Sequence, residues 1–108
     1  MASGSAPKVY SNTLTASTVD VVLITGGAYG VQVTNVDGTS PFWFTVSTPG
    51  GPCPTPTVGG TNGEFAAASV AGAFVNIRHD GQFGSVVQLI SSGTPTYTVS
   101  ALGYPASM

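Results

Sequence analysis

The chain has 108 residues and six charges, Lys8, Asp20, Asp37, Glu64, Arg78 and Asp80, which is 6% of the sequence, where an ordinary soluble domain carries roughly 25%. Two cations and a net charge of −2 exclude the phosphate-neutralising stripe of a nucleic-acid-binding protein. One cysteine, Cys53, excludes an internal disulfide and a cysteine-based zinc site.

The length fits one domain. A monomer of this size normally stays dispersed through a mixed, charged surface. Thr, Ser, Gly, Pro and Asn fill that role here, so the composition points to a component held among copies of itself or against a larger partner.

Residues 1–15 are rich in Ser, Ala, Pro and Thr and read as an extended N-terminal arm, with a weak strand over 8–15. The first eight residues have neither the basic nor the apolar region of a signal peptide. Synthesis in a cytoplasm without classical export is the expectation. The apolar run Val21–Ile24 is far too short to span a bilayer, so no membrane partner is expected.

Residues 16–108 read as one β domain. Strands are predicted over 19–25, 31–36, 42–47, 74–78, 86–91 and 96–102, each rich in Val, Ile, Phe, Tyr or Thr. Turn signals separate them: Gly26-Gly27, Asp37-Gly38, Asn62-Gly63, Asp80-Gly81 and Ser92-Gly93-Thr94-Pro95. Alternation sets Val31 and Val33 opposite Gln32 and Thr34. It likewise sets Phe42, Phe44 and Val46 opposite Trp43 and Thr45, and Tyr97, Val99 and Ala101 opposite Thr96 and Thr98. Residues 64–73 hold five alanines and tolerate at most a turn or two of helix, limited by Gly63 and Gly72. Residues 48–63 form a long Pro/Gly/Thr loop, of a length often tied to function. The sum is an all-β protein, a small β-sandwich or barrel of about seven strands with an N-terminal arm.

Val22-Leu23-Ile24-Thr25-Gly26-Gly27-Ala28-Tyr29-Gly30 imitates the start of a dinucleotide-binding unit, an apolar strand entering a Gly-rich turn. The true motif needs a helix next, to place its N-terminus on the pyrophosphate. Strand residues 31–36 follow instead, so 26–30 read as a hairpin loop and no cofactor is expected.

His79 is the lone histidine. A triad needs it oriented by a carboxylate and aimed at Ser85 or another hydroxyl, and the spacing does not enforce this. The four carboxylates form no acid/base pair, and Asp37 and Asp80 suit Asp-Gly turns. No metal-ligand spacing is present. No catalytic, cofactor-binding or metal-binding residues are assigned, and a non-enzyme is expected. Cys53 reads as a free thiol in a loop or as an intersubunit contact. The interface candidates are aromatic: Tyr10, Tyr29, Trp43 and Tyr104 in arm, loop, strand and tail. Trp43 is either a partly buried sandwich residue or an interface anchor.

Three segments occur in a familiar order: Val31-Gln32-Val33-Thr34-Asn35-Val36-Asp37-Gly38; Phe42-Trp43-Phe44-Thr45-Val46 with Pro56-Thr57-Val58-Gly59-Gly60; and Val87 through Val99. Over residues 30–100 this resembles small β-rich virion structural proteins of tailed phages that infect actinobacteria. Residues 65–72 differ from those sequences in lacking a Pro before Ala-Gly. The resemblance implies a capsid decoration (cement) protein that contacts the major capsid protein and its own copies, as a trimer at local threefold positions, on the virion surface. It also implies lattice binding through the N-terminal arm. Two other readings compete: a tail, fibre or head–tail junction part, and a carbohydrate-binding or adhesion module using a Trp/Tyr platform. A Thr-rich ice-binding surface would need a regular Thr spacing that the sequence lacks.

Overall fold

Residues 3–6, 9–25, 29–80 and 83–103 are described by the computed structural model of the chain. Where β-branched and aromatic residues alternate with polar ones, the described residues form strands, and they contain no helix. The strands are β1 (Ser3–Ala6), β2 (Val9–Thr13), β3 (Asp20–Ile24), β4 (Gly30–Asn35), β5 (Phe42–Ser47), β6 (Phe65–Ala67), β7 (Ala73–Arg78), β8 (Ser85–Ile90) and β9 (Thr96–Leu102). One sheet has the order β1-β3-β8-β5-β6 and the other β2-β9-β4-β7. All pairings are antiparallel except β1 on β3, so each sheet has a four-stranded antiparallel body and β1 extends the first in parallel.

The two sheets pack as a β-sandwich. Val22 and Ile24 of β3, Val87 and Leu89 of β8, and Phe42 and Phe44 of β5 meet Val31 and Val33 of β4 and Tyr97 and Val99 of β9; all are fully buried. Each such side chain contributes about 2 kcal/mol relative to exposure. Phe42 and Tyr97 join the sheets edge to face, with ring centroids 6.3 Å apart. Tyr97 Oη also donates across the core to Asp20 Oδ2 at 3.0 Å. Burial, then the Asp20 charge and that hydrogen bond, hold the Tyr97 phenol well above its ordinary range.

Seven strands fall where alternation places them, and β1 and β6 are additional. β6 lies in the helix-tolerant stretch; its register, Phe42 to Ala67 through Phe44 to Phe65, shows that cross-strand pairing with β5 overrides the alanine content. Within the expected arm, residues 9–13 are β2, paired along β9, and Leu14 beyond it is buried. The expected hairpin at 26–30 is corrected: β3 and β4 lie in different sheets, so this connection crosses the sandwich. Residues 26–28 themselves lie outside the described residues.

Buried Asn35 anchors another crossing. Its Nδ2 donates to Ser40 O at 2.8 Å and Ala68 O at 2.9 Å, and its Oδ1 accepts from Gly38 N at 3.0 Å. Gly38, at φ +67°, is so close to the Val70–Ala71 backbone that a Cβ would overlap it. One side chain therefore ties the β4–β5 connection to the segment after β6.

Candidate functional site

The outer face of the β2-β9-β4-β7 sheet is built from the polar half of each alternation. The register lines up Ser11, Thr98, Thr34 and Phe74 across all four strands, and beside them Val9, Ser100, Gln32 and Asn76. Neighbouring strands sit about 4.8 Å apart, so these side chains reach each other. Ser11 and Thr98 share a hydroxyl hydrogen bond of 2.7 Å, Thr13 and Thr96 one of 2.9 Å, and Gln32 Nε2 donates to Asn76 Oδ1 at 3.0 Å. Among the described residues, the only charge on this face is Arg78, at the end of β7.

Among the described residues, the face ends at β7, which has β4 as its sole neighbour strand. An edge strand presents backbone N–H and C=O groups to a partner, and soluble proteins commonly blunt such edges with lysine or proline. β7 contains neither. Phe74 on β7, Val70 before it and Phe65 on the neighbouring β6 edge are 59%, 59% and 43% exposed. This side of the molecule offers apolar area, hydroxyls and backbone groups, with almost no ionic contacts.

The outer face of the other sheet is covered by the loop over 48–63. Thr45 Oγ1 donates to Pro54 O at 2.8 Å, and Gln88 Nε2 donates to Cys53 O at 3.3 Å. The Glu64 carboxylate gathers the loop's far end. It accepts from Thr57 N, from Thr57 Oγ1 at 2.6 Å and from Asn62 N at 2.7 Å. The Thr57 side-chain hydrogen bond is the largest influence holding this carboxyl below its usual range, with the backbone N–H groups adding to it. Trp43 is half-buried beneath the loop; a Cβ on Gly60, which sits at φ +68°, would come within 2.9 Å of the indole Cδ1.

The aromatic candidates do not converge. Tyr10 packs at the core margin, its ring 6.4 Å from that of Tyr97. Trp43 lies under the loop on the opposite sheet. Tyr29 is at one end of the sandwich, with the Arg78 guanidinium 5.8 Å above its ring centroid. Tyr104 lies outside the described residues. The apolar contacts on the β6–β7 side, Phe65, Val70 and Phe74, were not singled out by sequence. A signal was available for Phe74, which alternates against Val75 and Ile77.

At the Tyr29 end, Tyr29, Arg78, His79 and Asp80 line a shallow open groove of about 240 Å³. The structure brings His79 against Ser85, with Nδ1 3.1 Å from Oγ. The other imidazole nitrogen meets Thr48 Oγ1 at 3.4 Å, where a triad would have a carboxylate. Ser85 is almost fully buried. The imidazole thus links the ends of β5 and β7 to the start of β8. Among the described residues, no three His, Cys, Asp or Glu side chains group to hold a metal ion, and no helix is long and apolar enough to cross a membrane. Exposed Cys53 has its thiol 3.4 Å from Gly51 O.

Comparison of the chain with protein-family models and with curated proteins finds no match.

Proposed function

We propose that the chain is a non-enzymatic structural protein of a virion, a capsid decoration protein that sits on the major capsid lattice together with copies of itself. The observation that carries this reading is the hydroxyl-lined face of the β2-β9-β4-β7 sheet, with Arg78 as its one charge among the described residues, ending at the β7 edge. Such a surface packs at high copy number with little like-charge repulsion. It joins neighbours through backbone and hydroxyl hydrogen bonds and apolar area, contacts that salt screens little. The sequence resemblance to phage virion proteins supplies the setting.

The described part of the expected arm is engaged in sheet pairing, β2 along β9. The reading therefore places the lattice contact on the sheet face and the β6–β7 side rather than on a free arm. Trp43 lies under Gly60, which disfavours a Trp43 platform for carbohydrate.

A density map of the native particle tests the proposal. It predicts the sandwich at regular positions over the shell, with Phe74 and β7 at a contact. Density confined to the tail, a fibre or the head–tail junction would replace the shell assignment with that of a minor virion part. Absence from the particle would overturn the proposal.

A further inference from the structure

We propose that two copies of the chain join edge to edge through β7, antiparallel about a twofold axis, into one sheet that runs continuously across both. The pairing rests on the reading above, in which copies of the chain are neighbours, and adds how two of them join. The backbone shows which groups are on offer. His79 N donates to Tyr29 O at 2.8 Å. Alternation along an antiparallel strand then turns the N–H and C=O of Ile77 and Val75 toward β4, and those of Phe74, Asn76 and Arg78 toward the edge. The side chains are graded in the same strand. Phe74, Asn76 and Arg78 are exposed on the outer face, while Val75 and Ile77 pack against the core but are only half-buried. The core is thus incompletely covered along β7, where β4 and β9 bury their inward residues fully.

One register makes the strand complementary to itself. It sets Asn76 opposite Asn76 of the second copy, Phe74 opposite Arg78, and Val75 opposite Ile77. All the edge-facing groups of β7 then pair, in about six backbone hydrogen bonds, and core-facing residues stay on the core side of both copies. Asn76 Oδ1 already accepts from Gln32 at 3.0 Å, and the amide also carries donors, so this side-chain ladder continues onto the second copy's Asn76. Arg78 has its guanidinium over Tyr29 of its own chain at 5.8 Å, and lays its aliphatic stem beside the second copy's Phe74. The two Arg78 residues stand four residues apart along the pair, about 14 Å, beyond the roughly 8–10 Å over which such charges interact. Other registers fit worse. A slip of one residue sets core-facing side chains against outer ones. Centring on Ile77 brings the arginines within about 8 Å of each other. Centring on Val75 sets Arg78 opposite Gly72, whose N–H is already given to Asn35 O. The sheet's other edge, β2, follows Pro7-Lys8 in the sequence. These residue types discourage strand addition, which favours a closed pair over a head-to-tail β2–β7 series.

Sedimentation velocity of the full chain from about 1 μM to about 1 mM is expected to show a reversible monomer–dimer equilibrium. Over the same range, hydrogen exchange of the Phe74, Asn76 and Arg78 amides is expected to slow as concentration rises. Phe74→Lys faces the second copy's Arg78 and is expected to weaken the dimer by about tenfold or more. Combining Phe74→Lys with Arg78→Glu turns each of these contacts into an opposite-charge pair. It is expected to recover the dimer, which then weakens with added salt. Both positions are exposed, and an unchanged circular dichroism spectrum checks that the fold survives. A parent that stays monomeric, a trimer or open-ended series, edge amides indifferent to concentration, or a double variant as weak as Phe74→Lys would overturn the proposal. A monomeric parent that still occupies particles would leave the virion reading standing. A dimer formed by a chain absent from particles would support the pairing and overturn the virion reading alone.

Discussion

Tyr97 and Asp20 place a phenol and a carboxylate in the middle of an otherwise apolar core, joined by one hydrogen bond of 3.0 Å. Tyr97→Phe removes the donor and keeps the ring. Hydrogen bonds to charged groups contribute about 2 kcal/mol, and a loss of that size is expected in urea denaturation. The pH dependence follows from the raised phenol. An unfolded tyrosine ionises near pH 10.0, whereas the folded protein holds the Tyr97 proton more tightly. This stabilisation is complete below that pH and is lost as the pH climbs above it. Urea midpoints are expected to fall above pH 10.0 in the parent and to fall less in Tyr97→Phe. Asn35→Ala is expected to cost about 3 kcal/mol, because Ser40 O, Ala68 O and Gly38 N all lose a buried partner. These residues were legible only in part. Asp37 is read from its Asp-Gly turn, and its bond to Thr39 follows; its bond to Thr96 does not. The Tyr97–Asp20 pair spans two sheets, and Asn35 looks like any strand-end asparagine, so long-range packing had to reveal both. The same holds for His79 and Ser85, whose contact depends on how β7 and β8 meet at the sandwich end.

Among the elements, the strands with two or more clean alternations were readable, because one buried face enforces the period of two. β6 was not: three residues, two of them alanine, gain strand character only from pairing with β5. Crossing connections were unreadable as well, since a Gly-rich turn has the same composition whether it closes a hairpin or passes between sheets. The length of the 48–63 loop was plain, but its role as a cover over β5 and β8 was not. Glu64 makes that cover testable. Its folded pKa is depressed, so its contribution is present above the ordinary carboxyl value of 4.5 and is lost as pH falls through the lower folded value. Glu64→Gln is expected to loosen the loop at neutral pH, read as a red shift of Trp43 fluorescence; acidification of the parent below pH 4.5 should move the emission the same way. Unchanged emission in both would mean that the loop does not rely on this carboxylate. For the open edge, Phe74→Lys removes apolar area and places a lysine in the middle of β7, whose one cation, Arg78, stands at its end. Self-association is expected to weaken by about tenfold or more in sedimentation velocity, with the circular dichroism spectrum unchanged.

For the molecule as a whole, scarcity of charge and the sandwich belong to one account. The sheet buries one half of each alternation in the core and presents the other, Thr, Ser, Asn and Gln, as a face with Arg78 as its single ion among the described residues. The class of fold was legible because seven strands announce themselves. The sheet order, and with it the identity of β7 as an edge, was not, because it depends on which strands meet across the core. The account requires this charge-poor face to be covered in a particle at high multiplicity and to be held there with few salt bridges. Quantifying the chain per purified particle before and after a high-salt wash tests that requirement directly. Hundreds of copies, retained through the wash, are predicted. A handful of copies, or a population stripped by salt alone, would contradict it.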